Sequence, residues 1–305
     1  MIERNFNDAA VLRAIEEGYG VSVRTLKALD GHAHSFNFRA ETADGEFFEV
    51  KCFPAVHEER FKCLVAHTAP SDNHLAATRL FGGKILGFDG WKVIALRWVP
   101  GSELGPDELS DEELDAFLAA YAEFLLHLSD DGAVLPVRDY LALKRMLLKR
   151  LHGGNAPGIV RELNEMRDDT LTLAVEHRRI IHGDLHKGNL RFDAGTVSGF
   201  FDLEELRFGT PAEDLVRYVV CSEEHRMWYD PLGQQRLLVA FRRILARTSY
   251  SRSEWMFAIN GYLLRKLDKK VKSNRLPVWR RINLRARLFF YRALRKAVER
   301  EVANG

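Results

Sequence analysis

The chain has little cysteine and no long apolar run, and each absence removes a class of protein. Its 305 residues hold only Cys52, Cys63 and Cys221. An odd number without paired metal-ligand spacing points to buried free thiols rather than to a disulfide framework or a zinc site. No uninterrupted apolar stretch approaches the roughly 20 residues needed to span a bilayer. The opening Met1-Ile2-Glu3-Arg4-Asn5-Phe6 lacks the basic and apolar regions of a secretory signal, so a cytoplasmic protein is expected. Net charge is nearly missing too, at +2, but the sum hides two opposite runs. Residues 101–131 contain no Lys or Arg, whereas residues 265–300 contain fourteen against Asp268 and Glu299. What remains is ordinary for a soluble globular chain, with 46% apolar and 29% charged residues, long enough for two lobes around sizeable cores.

The chemistry concentrates in His182-Gly183-Asp184-Leu185-His186-Lys187-Gly188-Asn189, followed after a short turn by Phe200-Phe201-Asp202-Leu203-Glu204. Together these supply two carboxylates and one carboxamide. A terminal phosphoryl group resists attack by a hydroxyl until metal ions and cationic side chains neutralise its oxygens. Asp202 and Asn189 offer the hard oxygen ligands that magnesium takes while keeping several waters and the phosphates. Asp184 is the candidate base for an incoming hydroxyl. A metallophosphoesterase would also use a Gly-Asp-x-His run, but it would need a further Gly-Asn-His segment, and Gly188-Asn189 continues into Leu190-Arg191-Phe192.

The loop HGDLHKGN resembles the catalytic loop HxDxxxxN of the protein-kinase-like fold, in the HGD form of aminoglycoside phosphotransferases, choline kinases and related small-molecule kinases. Gly183 stands where protein kinases carry Arg, and Asp202-Leu203-Glu204 replaces their DFG triplet. The resemblance implies an α+β, bilobal fold with a small antiparallel-sheet N-lobe and a mainly helical C-lobe. It also implies direct phosphoryl transfer from ATP with Mg2+ as cofactor.

The first hundred residues fit that order. A helix over residues 8–18 precedes strand-like runs at 21–30, 35–42, 46–53, 84–88 and 91–99, with Asp44-Gly45 and Asp89-Gly90 as turn signals. By local pattern alone, Lys51 in the third run reads first as a solvent-facing residue of an edge strand. The resemblance makes it the phosphate-binding lysine, with Glu59, or else Glu58, as its acidic partner. It makes the loop from Asp30 to Ser35 the phosphate cover, although one glycine is a weak cradle. Trp98-Val99-Pro100-Gly101 then matches the hinge, against which adenine would bond to backbone groups near Arg97 and Val99. The expected division is an N-lobe over residues 1–97, a hinge over 98–104 and a C-lobe over 105–305.

Beyond the hinge the period changes to helical. Ser110-Asp111-Glu112-Glu113 is a capping box before Leu114, Phe117, Leu118, Tyr121, Phe124, Leu125 and Leu128. Further helices are expected over 137–152 and 158–178, then a short strand at 179–181 and a helix start at Thr210-Pro211. Asp214 resembles the aspartate that supports the catalytic loop's backbone.

The acceptor is less legible. The acidic run suits a cationic aminoglycoside or a choline-like amine. The basic tail, where Trp279, Leu288, Phe289 and Phe290 interleave with arginines, suits an anionic glycolipid, a phosphosugar or an anionic membrane surface. No nucleic-acid module accompanies it, so nucleic acid is not an expected partner. Val50-Lys51-Cys52-Phe53-Pro54, Glu59-Arg60-Phe61-Lys62, the catalytic loop and the basic tail also resemble lipopolysaccharide-core heptose kinases of the inner membrane face. The combined expectation is an ATP-dependent kinase for a sugar-containing acceptor, peripheral to that membrane. An aminoglycoside or amino-alcohol kinase and a catalytically silent binding module stand as alternatives.

Overall fold

The turn signals of the first hundred residues close into one antiparallel sheet. In the computed structural model, residues 7–29, 35–56, 75–76, 80–128, 134–221, 230–272 and 275–302 are described. The chain divides into two compact units. One comprises Met1–Ser102, Ala120–Val134 and Leu190–Leu206, the other Glu103–Ala119, Leu135–Asn189 and Arg207–Gly305.

In the first unit, strands β1 (Val23–Ala28), β2 (Phe36–Thr42), β3 (Phe47–Pro54), β4 (Leu86–Phe88) and β5 (Trp91–Arg97) form a sheet of order β1-β2-β3-β5-β4. Strand β3 is therefore central, paired with β2 on one side and β5 on the other, and Lys51 lies opposite Asn37 and Ile94. Helix α1 (Asp8–Tyr19) packs on the sheet. Asn7 caps its first turn and Gly20, at φ 70°, ends it in the left-handed region. Val11 and Ile15, one turn apart, are fully buried against a cluster that includes Phe38, Phe48, Val50, Trp91 and Val93.

A second hairpin in the same unit, β7 (Leu190–Asp193) and β8 (Thr196–Phe200), turns at Ala194-Gly195 with both residues at positive φ. That backbone twist matches the twist of paired strands. Phe200 at its end is buried and packs on the rings of Tyr121 and Phe124.

Helix α2 (Asp111–Leu126) begins with the expected capping box. Ser110 N–H donates to Glu113 at 2.8 Å, and Glu113 N–H donates to the Ser110 hydroxyl at 3.1 Å. Leu114, Phe117, Tyr121 and Phe124 are buried, while Leu118, Leu125 and Leu128 are half-buried.

The rest of the second unit is helical: α3 (Tyr140–Leu151), α4 (Pro157–Glu165), α5 (Pro211–Cys221), α6 (Pro231–Arg247), α7 (Arg252–Lys270) and α8 (Val278–Glu301). A short pair, β6 (Arg179–Ile181) with β9 (Arg207–Gly209), completes it. The helix expected over 158–178 stops at Glu165 and gives way to 3-10 turns at Asp168–Leu171 and Val175–His177. Side chains compete with the helical ladder there. Lys144 donates to the Met166 carbonyl at 2.5 Å and to Asp168 at 2.7 Å, and the Thr170 hydroxyl donates to the Arg167 carbonyl at 2.7 Å. Cys52 is a buried free thiol and Cys221 a half-buried one; Cys63 lies outside the described residues.

Candidate active site

In the first unit the site is built around a buried lysine. Lys51, central in β3, is only 2% exposed. A bare ammonium in such a place would lose several kcal/mol of hydration. Two carboxylates answer it: Asp202 lies 2.6 Å from Nζ, and Glu204 is ion-paired with the same nitrogen. Burial alone would lower the Lys51 pKa, but Asp202, Glu204 and Glu49 together raise it above the ordinary lysine value. The carboxylates feel the opposite pressure. Burial, with Asp202 beside it, pushes Glu204 up to about 7 despite the attraction of Lys51. Glu49, two residues from Lys51 along the strand, is also raised, by burial first.

Asp202 follows β8 with φ 62° and ψ 54°, in the left-handed region that Asp tolerates better than most residues. The one-turn 3-10 segment Leu203–Glu205 then carries Glu204 back towards Lys51, held by the fully buried Leu203. Ser35 is buried beside the start of β2, and Val99 is buried next to Gly199. Arg97, at the end of β5, donates to the Ala76 carbonyl at 3.1 Å. Glu58 and Glu59 lie outside the described residues.

In the second unit, β6 delivers the loop that begins at His182. Gly183, at φ 79°, turns the chain so that two consecutive amides face one carboxylate. Asp214 on α5 accepts from His182 N–H at 2.7 Å and from Gly183 N–H at 2.8 Å. Asp184 comes next and is ion-paired with Arg217, one turn along α5 from Asp214. His186 Nδ1 accepts the Gly188 N–H at 3.0 Å, which leaves the ring proton on Nε2, 3.7 Å from the Asp184 carboxylate. Burial would push the Asp184 carboxyl up, but His186 and Arg217, with a smaller contribution from His182, bring it down to about 2. Asp184 is thus a carboxylate at any neutral pH.

Asn189 ends the loop, 3% exposed. Its amide nitrogen donates to the Asp184 backbone carbonyl at 3.0 Å. That leaves the amide oxygen, the atom a hard cation takes. Asp202 supplies a formal negative charge of the same ligand class. Each oxygen is, by its own chemistry, of the kind magnesium takes, an ion that binds through few protein oxygens and many phosphate and water oxygens.

The structure thus gathers Lys51 with Asp202 in one unit and Asp184 with Asn189 in the other. Two further residues escaped sequence reasoning. Glu204 is ion-paired with Lys51, while the expected partners Glu58 and Glu59 lie outside the described residues; its signal was the carboxylate in Asp202-Leu203-Glu204 where protein kinases have glycine. Arg217 was visible only through its spacing, three residues after Asp214 and so near it on the helix surface.

Residues 25–249 match the profile of the phosphotransferase enzyme family. Among curated proteins, none matches the chain. Solved structures do. The GDP complex of aminoglycoside 2'-phosphotransferase-IIIa is 16% identical with a TM-score of 0.62, covering 98% of this chain and 99% of that one. Spectinomycin phosphotransferase with ADP and spectinomycin is 12% identical with a TM-score of 0.59, covering 97% and 98%. An amicoumacin kinase with AMP-PNP and Ca2+ is 11% identical with a TM-score of 0.57, covering 97% and 95%. At these identities the likeness is one of fold, the α+β protein-kinase-like fold. The family match spans most of the sequence, and the chain belongs to the phosphotransferase enzyme family.

Proposed function

We propose that the protein transfers the γ-phosphoryl group of ATP to a hydroxyl of a sugar-containing small molecule. Asp184 accepts a hydrogen bond from the acceptor hydroxyl and takes its proton as the oxygen attacks phosphorus. Asn189 and Asp202 would hold magnesium, which when bound would neutralise charge on the phosphate oxygens. Lys51, released from its full engagement with Asp202 and Glu204, orients the nucleotide phosphates. Val99 and the backbone near Arg97 receive the base, and Ser35 ends the loop over the phosphates. Catalysis then comes from positioning and charge neutralisation rather than from covalent chemistry.

The observation that carries this reading is Asp184 itself. It is ionised by its neighbours, its loop is pinned by Asp214, and its carboxylate remains about one-fifth solvent-accessible. A structural aspartate would not need that accessibility. The neighbours' GDP, ADP and AMP-PNP with Ca2+ support a metal–nucleotide requirement. The test is nucleotide binding and turnover with ATP and GTP, with magnesium and with chelator, across hydroxylated acceptors. Asp184→Asn should keep nucleotide affinity and lose turnover by orders of magnitude; Asp202→Ala should weaken magnesium-dependent binding. Tight nucleotide binding with no turnover in the unsubstituted protein would favour a silent binding module.

A second observation supports residence at the inner face of an anionic membrane. On α8, Trp279 is 60%, Ile282 57% and Phe289 71% exposed, and Arg285, Arg292 and Lys296 are also exposed along the helix. Interfacial helices combine aromatic insertion with basic contacts worth about 1 kcal/mol each at an anionic surface. Sedimentation with phosphatidylglycerol vesicles but not phosphatidylcholine vesicles, lost in the Trp279→Ser/Phe289→Ser variant, is the expected outcome. Among the described residues no helix is long and apolar enough to cross a membrane.

A further inference from the structure

The groups around Asp184 must also meet the acceptor, because the hydroxyl to be phosphorylated has to reach that carboxylate. These groups are mostly cations. Helices α5 and α7 pack against each other. Arg217 and Cys221 lie one turn apart on α5; Tyr262, Lys266 and Lys269 fall on one face of α7. The two faces meet where the Cys221 sulfur lies 2.8 Å from the Tyr262 hydroxyl. The Lys266 ammonium stands 5.1 Å from the centre of the Tyr262 ring.

Arg217 and Lys266 are 9% and 7% exposed, whereas Lys269 is exposed. The strip therefore runs from Asp184 to open solvent. Arg217 uses one terminal nitrogen on Asp184, and its buried Nε has no hydrogen-bond partner among the described residues. Loss of hydration and the charges of Lys266, Arg217 and Arg265 pull the Lys269 pKa down, with Asp184 opposing them. Lys269 thus lies within electrostatic reach of each of the other four.

We propose that the acceptor carries, besides the hydroxyl that is phosphorylated, an anionic group, phosphate or carboxylate, held by Arg217, Lys266 and Lys269. The guanidinium fork matches either oxyanion. An amine-rich acceptor would instead bring like charge against three cations. In the reaction the bond from the γ-phosphorus to the β–γ bridging oxygen breaks, and a bond to the acceptor oxygen forms. The hydroxyl proton passes to the Asp184 carboxylate and then to solvent, and ADP leaves. The inference rests on the kinase reading above and narrows its substrate.

The test is a matched panel of sugar phosphates, sugar acids, their neutral parents and aminoglycosides, assayed with ATP and magnesium. The expected result is a kcat/KM at least a hundredfold higher for an anionic sugar than for its neutral parent. Sugar phosphates and sugar acids separate the two oxyanions. Lys269→Glu, at an exposed position, should cut that advantage at least tenfold through the acceptor KM while the ATP KM is unchanged. Equal or better turnover of neutral or amine-rich acceptors, or discrimination unaltered by Lys269→Glu, overturns the proposal. Where no acceptor in the panel turns over, thermal shift with AMP-PNP and magnesium decides. A further shift on adding an anionic sugar, absent in Lys269→Glu, supports the site, and no further shift overturns it. Failure of the nucleotide itself to bind is the separate result that removes the kinase reading.

Discussion

Asp214 and Gly183, 31 residues apart in sequence, are joined by a 2.8 Å hydrogen bond from the glycine amide to a fully buried carboxylate, and the His182 amide takes the other oxygen. The conformation of the residue before Asp184 is therefore set from helix α5. Hydrogen bonds to a charged group are each worth about 1.5–3 kcal/mol. Asp214→Asn turns one acceptor into a donor facing an N–H. We expect it to lower unfolding free energy by about 2–4 kcal/mol and to reduce kcat at least a hundredfold with little change in the ATP KM. Denaturant midpoints and steady-state kinetics check both, and an undisturbed kcat would show that the loop holds its shape without Asp214.

Lys51 offers a second prediction. Its removal strands Asp202 and Glu204 side by side, and breaking a buried ion pair by deleting one partner costs about 3–5 kcal/mol. Lys51→Met should thus destabilise by about that amount. Without Lys51 the Glu204 carboxyl, already raised to about 7, is charged only above neutral pH, so at alkaline pH adding Glu204→Gln should recover part of the loss without recovering nucleotide binding. A double variant less stable than Lys51→Met would mean that Glu204 stabilises the fold through some other partner.

These two relationships also show what the sequence could and could not reveal. Apart from the supporting role of Asp214, which came from the family resemblance, the five strands and the capping box at Ser110 rest on local signals: alternation, Asp-Gly turns and a fixed spacing. Each survives folding because each is enforced within a few residues. The pairing of Lys51 with Glu204 is a different kind of fact. Glu204 is 153 residues further along the chain, and nothing local says that a 3-10 turn after a left-handed Asp202 will bring it to β3. The end of helix α4 was misplaced for a related reason. Lys144, on a different helix, takes the Met166 carbonyl that would otherwise have continued the ladder.

Tyr140 supplies a pH-dependent prediction. Its hydroxyl donates to Glu213 at 2.7 Å in a buried network that includes Arg207. Burial, and then the charge of Glu213, pushes its pKa up to about 12 from an ordinary value of 10.0. Above pH 10 the unfolded chain loses this proton while the folded chain keeps it. The contribution of Tyr140 is therefore fully present below pH 10 and is lost as pH rises towards 12, by up to about 1.4 kcal/mol per pH unit. Tyr140→Phe has no proton to lose there. It should be less stable than the parent by about 1 kcal/mol at pH 8, and chemical denaturation should show the two curves converging above pH 10 and crossing before pH 12. Parallel curves would mean that the phenol ionises as readily folded as unfolded.

The same ring limits what helix α7 can carry. A Cβ added at Gly261 would lie 2.2 Å from the Tyr140 ring, a distance no packing tolerates. Helix propensity argues the other way, since alanine in a helix interior gains about 1 kcal/mol over glycine. Overpacking commonly costs about 1–3 kcal/mol. Here the ring has little room to yield, because its hydroxyl is tied to Glu213 and its face packs on Phe257. Gly261→Ala should therefore destabilise by about 1–3 kcal/mol despite the better helix former. Truncating the ring removes the obstacle, so in the background of Tyr140→Leu the same substitution should be neutral or stabilising. That reversal of sign, read from a double-mutant cycle in denaturant, separates close approach of two helices from any intrinsic need for glycine; a Gly261→Ala penalty that persists without the ring would place the constraint in the α7 backbone instead.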